Sequence, residues 1–211
     1  MTQYRELGSP FSNSQLSVSL STRVDTRYRA RQASLATLAG SICDWLHANP
    51  GHCIVYFPSY AYMAQVLELI AGDLAGRDVR VQAREMRELE KQELLSALRS
   101  QRDIAAFCIL GGVFGEGVDL PGDALRSVVI VGVGLPQFNR RQEALRDYYE
   151  ARYGEGFSYA YQYPGMQKVA QAMGRVIRSE SDRGAALLID SRFGQPGYRS
   201  LLPDAWDYRE V

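Results

Sequence analysis

Two arginines, a glutamine and a glycine gather on one side of the segment Gly165 to Arg178, where they could do chemistry. At about 100° per residue, Gln167, Gln171, Gly174, Arg175 and Arg178 share a face opposite Met166, Val169, Ala170, Met173 and Ile177. The apolar side reads as a core face. On the polar side a glycine costs a helix roughly 1 kcal/mol, and its place beside Gln171 and between the arginines lets something approach closely. Guanidinium forks stay charged and match phosphate oxygens in pairs, so the chemistry indicated is phosphate recognition. A solvated polar face with ion pairs to Glu180 or Asp182 is the plainer alternative.

The segment Gly111 to Gly122, GGVFGEGVDLPG, follows an apolar run. Its glycines, Gly117 among them, let backbone amides approach a ligand, and Glu116 and Asp119 put carboxylates where ribose hydroxyls or a metal-bound water could be held. An ordinary glycine-rich turn is the alternative, and the spacing does not fit the GxGxxG dinucleotide fingerprint. At Val55 to Tyr60 an apolar run ends in Pro-Ser-Tyr. Ser59 could donate to a phosphate and Tyr60 could stack on a base, or Ser59 could cap a helix and Tyr60 pack. Tyr159, Tyr161 and Tyr163 are read as packing at a helix entrance rather than as a base-stacking set.

The elements that must position these residues follow from periodicity. Leu35, Leu38, Ile42 and Trp45 recur at helical spacing up to the breaker Asn49-Pro50-Gly51. Cys53 to Phe57, Ile104 to Leu110, Ser127 to Val133 and Ala185 to Ile189 read as strands buried on both faces. Val79 to Val81 reads as a short strand. Met63, Val66, Leu67, Ile70 and Leu74 form a helical stripe, Glu85 to Arg99 a charged helix, and Phe138 to Tyr153 and Gly165 to Arg178 two more helices. Strands alternating with helices imply an α/β fold, a mostly parallel sheet covered on both faces. Ligands in such sheets sit beyond the carboxyl ends of the strands, so chemistry is expected at the loops Pro58-Ser59-Tyr60, Gly111 to Gly122 and Gly134 to Asn139.

The 24 basic and 24 acidic side chains cancel, so any attraction to nucleic acid must be local rather than global. Cys43, Cys53 and Cys108 lie in apolar runs without CxxC spacing and, with only His47 and His52 to supplement them, read as inert thiols rather than metal ligands. No apolar run is long enough to span a bilayer, and the charged beginning does not read as a secretory signal. A soluble, cytoplasmic, monomeric protein is expected, nucleoid-associated if bacterial.

The spacing QxxGRxxR at Gln171, Gly174, Arg175 and Arg178 resembles the sixth motif of superfamily 2 helicases. Asp182, Gly184, Leu188, Asp190 and Arg192 extend the likeness to the XPD/DinG branch. The EGxD at Glu116, Gly117 and Asp119 is similar to the fifth motif, the Pro-Ser-Tyr corner to the fourth, and Leu7 to Phe11 to the junction where the chain enters the domain. The resemblance implies a RecA-like second motor domain over residues 33–211, preceded by an arm or linker at 1–32. It also implies that ATP and Mg²⁺ are held mainly by a first motor domain, since no Gly-Lys pair and no DEAH box occur here. An iron-sulfur cluster could sit in that other part, with none in this chain. On this likeness Arg178 is the arginine finger, Arg175 assists, and Gln171, Gly174, Glu116, Gly117 and Asp119 meet the nucleotide. Ser59 and Tyr60 meet single-stranded DNA, and translocation runs 5′ to 3′. A stand-alone, non-catalytic module binding nucleic acid or protein is the alternative; a nucleotide-binding oxidoreductase is a weaker third.

Overall fold

The computed structural model describes residues 12–74, 76–100, 103–112, 114, 125–204 and 206–211. Glu116, Gly117, Asp119 and the Leu7–Phe11 junction lie outside the described residues. The strands are β1 (Leu16–Ser21), β2 (Cys53–Phe57), β3 (Asp78–Val81), β4 (Ile104–Ile109), β5 (Ser127–Val131), β6 (Gly184–Ile189) and β7 (Tyr208–Glu210). The α-helices are α1 (Arg31–Ala48), α2 (Tyr60–Ile70), α3 (Glu88–Ser100), α4 (Arg140–Tyr153), α5 (Tyr163–Met173) and α6 (Pro196–Arg199).

The strands form one sheet in the order β3-β4-β2-β5-β6-β1-β7, and every pairing among the described residues is parallel. Alternation along each strand splits the core in two. Ile54, Tyr56, Ala106, Cys108, Val128, Ile130, Ala186 and Leu188 face a layer built from α3 and α5. Cys53, Val55, Phe57, Phe107, Val129, Val131 and Ile189 face α1 and α2. Both faces of the inner strands are therefore dry, which explains their unbroken apolar runs.

Three features depart from the sequence reading. Leu16–Ser21, expected within the arm, lies in the sheet between β6 and β7, with Leu16 opposite Gly184 and Ser21 opposite Ile189. The helix expected over Gly165–Arg178 spans Tyr163–Met173, with Gly174 as its C-cap. Beyond it the bonds tighten to three-residue turns, Arg175 N–H to Ala172 and Val176 N–H to Met173, as helix ends do. The chain also passes through a five-residue π-helix, Ser158–Gln162, before entering α5.

Two glycines are required where α5 meets the loop after β5. A Cβ on Gly165 would lie 2.6 Å from the Val133 carbonyl oxygen, and one on Gly134, at φ +66°, would lie 2.5 Å from the Gly165 carbonyl oxygen. Backbone touches backbone there, which sets the depth at which α5 is seated. By contrast α4 has no buried residue; Tyr161 of the π-helix donates to Glu143 of α4 at 2.5 Å.

Candidate functional site

The end of α5 and the loop that follows carry the two arginines towards the amino end of β6. Val176 and Ile177 are buried; before them Arg175 is half-buried, and after them Arg178, like Gln171 and Gly174, is exposed. Because the helix stops at Met173, Arg178 is aimed by a loop rather than by helical periodicity. That loop is closed from within by Asp182, whose carboxylate accepts from the N–H groups of Arg178 (2.8 Å) and Ser179 (2.9 Å) and from the Ser179 hydroxyl (2.6 Å). The Ser179 hydroxyl and these amides hold the Asp182 carboxyl below its ordinary value. Asp182 is thus a brace for the Arg178 backbone.

The Tyr56 hydroxyl, buried on β2, donates to the Phe114 carbonyl of the glycine-rich segment at 2.9 Å. Burial pushes the Tyr56 phenol up, while the charges of Arg175 and Arg178 act on it in the opposite direction. Arg175 and Arg178 thus act on Tyr56 through their charge, and Phe114 is bonded to it directly. On the neighbouring turn of α5, the Lys168 side chain lies over Gly111, where an added Cβ, already disfavoured at φ +75°, would come within 3.2 Å of it. Around Gly174 such a Cβ would meet nothing nearer than the Ala170 carbonyl at 3.4 Å. The fold itself does not demand that glycine, so the space above it is open to an approaching group.

A second region lies at the carboxyl ends of β2, β5 and β6. A cleft of ≈ 760 Å³ is lined by Arg27, Arg31, Ser59, Gln137, Phe157 and Arg192 among others, and no Asp or Glu among the described residues lines it. Arg192 is locked there: its N–H and Nε donate to one Asp190 oxygen and its second guanidinium nitrogen to the other, all at 2.8 Å. Thr26 donates to the same carboxylate. Asp190 is wholly buried, so its charge and that of Arg192 answer each other inside the protein.

The structure separates the two residues of the Pro-Ser-Tyr corner. Ser59 is the N-cap of α2, accepting from Tyr62 N–H at 3.4 Å, and it lines the cleft. Tyr60 turns away: its hydroxyl accepts from Gln82 at 3.1 Å, the same amide takes the Ile109 N–H at 2.9 Å, and Arg84 lies over its ring. Of the tyrosine group, Tyr161 is buried, whereas Tyr159 and Tyr163 are exposed; Tyr159 stacks with the α4 tyrosines Tyr149 and Tyr153 and meets Tyr163 edge-on. Arg27, Arg31 and Lys168 carry no short motif, and Tyr56, though inside the Val55 to Tyr60 segment, is given its role only by the topology.

No group of three metal-ligating side chains occurs among the described residues. Cys43, Cys53 and Cys108 are buried and free, and burial pushes the Cys53 thiol up to about 11. No described helix is long and apolar enough to cross a membrane.

Comparison with known proteins agrees with this geometry. Residues 42–209 match the helicase C-terminal domain. The chain is 27% identical to the XPD helicase subunit of the general transcription and DNA repair factor IIH of Dictyostelium discoideum, over 88% of the chain and 25% of that protein. It is 31% identical to the ATP-dependent DNA helicase DinG of Photobacterium profundum, over 72% of the chain and 22% of the relative. The chain thus spans about a quarter of the length of these relatives. A solved XPD helicase structure superposes with a TM-score of 0.73 at 19% identity, over 93% of the chain and 35% of its own. The sheet order, the matched residues and these likenesses make the chain a RecA-like helicase C-terminal domain of the XPD/DinG family.

Proposed function

We propose that the chain is the second motor domain of an ATP-dependent DNA helicase. It closes on a nucleotide held by a first motor domain and carries part of the single-stranded DNA track. The observation that supports this most is the open space over Gly174 at the end of α5, immediately before Arg175 and the exposed Arg178.

Two guanidiniums next to a helix end with free room above it fit a triphosphate. The first motor domain would supply ATP with its Mg²⁺, and with them the transferable γ-phosphoryl group. In this reading Arg178 sets its charge against the γ-phosphate, Arg175 supports it from its half-buried position, and Gln171 and Gly174 border the nucleotide. Glu116, Gly117 and Asp119 are assigned to the nucleotide by motif alone. A positioned arginine finger is worth about 10³ to 10⁵ in rate, so closure of the two domains would gate hydrolysis.

The basic cleft supports the DNA assignment. Arg31, together with Arg27 in its exposed pair with Asp25, offers charge for backbone phosphates, Ser59 keeps its own O–H as a donor, and Phe157 presents an aromatic ring, while Arg192 is committed to Asp190. Tyr60, committed to Gln82 and Arg84, supports the corner rather than offering a bare face. The protein is taken to act as a soluble, cytoplasmic monomer, with 5′ to 3′ polarity.

The test is Arg178→Lys with a first motor domain present. An ammonium lacks the planar fork, so DNA-stimulated ATP hydrolysis should fall by about 10³ or more while ATP still binds. Near-normal turnover would overturn the role of Arg178. Hydrolysis by this chain on its own would overturn the shared site.

A further inference from the structure

We propose that Gln15 is a positioning residue for Arg178, holding the loop after α5 from the lead-in to β1. The proposal rests on the phosphate-facing reading of Arg178 given above.

Gln15 ends a short 3₁₀ turn, Asn13–Gln15, and is buried although polar. Its Oε1 accepts from Ser12 N–H at 2.8 Å. That bond leaves the amide one orientation, with Nε2 directed at the loop. Nε2 has within reach the carbonyl oxygens of Ser179 at 2.9 Å, Asp182 at 3.1 Å and Glu180 at 3.2 Å. One side chain therefore gathers three carbonyls of a single loop, which are otherwise met by the Asp182 N–H and the Arg183 guanidinium rather than by a helix or a strand. The register β1 to β6 places it there, since Leu16 lies opposite Gly184.

Arg178 lies immediately before this gathered loop and outside α5. Its backbone N–H goes to Asp182, which braces the loop from inside, while Gln15 fixes the same loop from outside. With no helix to aim Arg178, the direction of its side chain follows from these two anchors. Misplacing a reacting group by about 1 Å can cost on the order of 10²-fold in rate. Gln15 thus belongs to the catalytic geometry without touching the nucleotide. It also joins the N-terminal lead-in to the arginine, so a displacement of residues 12–15 displaces Arg178.

The test uses Gln15→Met, which keeps length and apolar packing and removes the amide, and Gln15→Glu, which keeps the acceptor for Ser12 and removes the donors. In the chain itself, hydrogen exchange at the Arg178 and Ser179 amides should quicken by about tenfold in both, with the core amides unchanged. Combined with a first motor domain, both variants should lose about 10- to 100-fold in kcat with KM for ATP nearly constant. In an Arg178→Ala background, Gln15→Met should cause no further loss, because both act through one group. Unaltered exchange at Arg178, or losses that multiply in the double variant, would overturn the proposal. Normal turnover in Arg178→Ala alone overturns the phosphate role itself, and the exchange measurement still reports separately whether Gln15 holds the loop.

Discussion

Tyr56 and Phe114 are joined across 58 positions of sequence by a 2.9 Å bond from a buried phenol to a main-chain carbonyl. The bond ties the start of the glycine-rich segment to an inner strand, in the field of Arg175 and Arg178. Replacing Tyr56 with Phe keeps the ring and strands the carbonyl. A buried acceptor left without its donor costs about 1–3 kcal/mol. Urea unfolding should show that loss, and a midpoint equal to the parent's would mean the bond holds nothing.

Gly165→Ala should destabilise by about 1–3 kcal/mol through overpacking, since the new methyl meets the Val133 carbonyl at 2.6 Å. Gly174→Ala, in open space at a helix end, should leave unfolding nearly unchanged while hindering whatever approaches the arginines. Denaturation midpoints of the two variants separate a glycine that packs from a glycine that makes room.

Removing Arg192 leaves Asp190 charged and enclosed. Breaking a buried pair costs about 3–5 kcal/mol, so Arg192→Ala should unfold far more readily than Arg27→Ala, whose ion pair with Asp25 is exposed. Calorimetry or urea titration would show it. Equal losses would place the Asp190 pair on a par with the surface.

Asp182 sets a pH dependence. Its folded carboxyl titrates below the ordinary 3.8, so its brace on Arg178 is fully present above that value. It fades as the pH falls through the lower, folded value. Asp182→Asn should remove this acid-limb loss and show faster exchange at the Arg178 amide at neutral pH. An unchanged acid limb would assign the effect elsewhere.

The inner strands and the helices α1, α2 and α3 were legible because each carries its own periodicity and is bounded by breakers such as Asn49-Pro50-Gly51. β1 was not, although Leu16, Val18 and Leu20 alternate with Ser17 and Ser19. Its partner strand lies more than 160 positions away, so nothing local marks the run as more than a serine-rich arm. The end of α5 was missed for a related reason. The apolar pattern continues through Val176 and Ile177 because both are buried, but they are buried by a turn and not by helix. The motif residues were readable by type, while their anchors, Gln15, Tyr56 and Lys168, acquire meaning only from neighbours distant in sequence.

The place of β1 has a mechanical side. It runs parallel to β6 over six paired positions and is flanked on its other edge by β7. A pull along the chain at residue 12 loads that ladder in shear, with its hydrogen bonds strained together rather than peeled one after another. Tension arriving from that end would therefore move the sheet as a stiff plate before it drew out the strand.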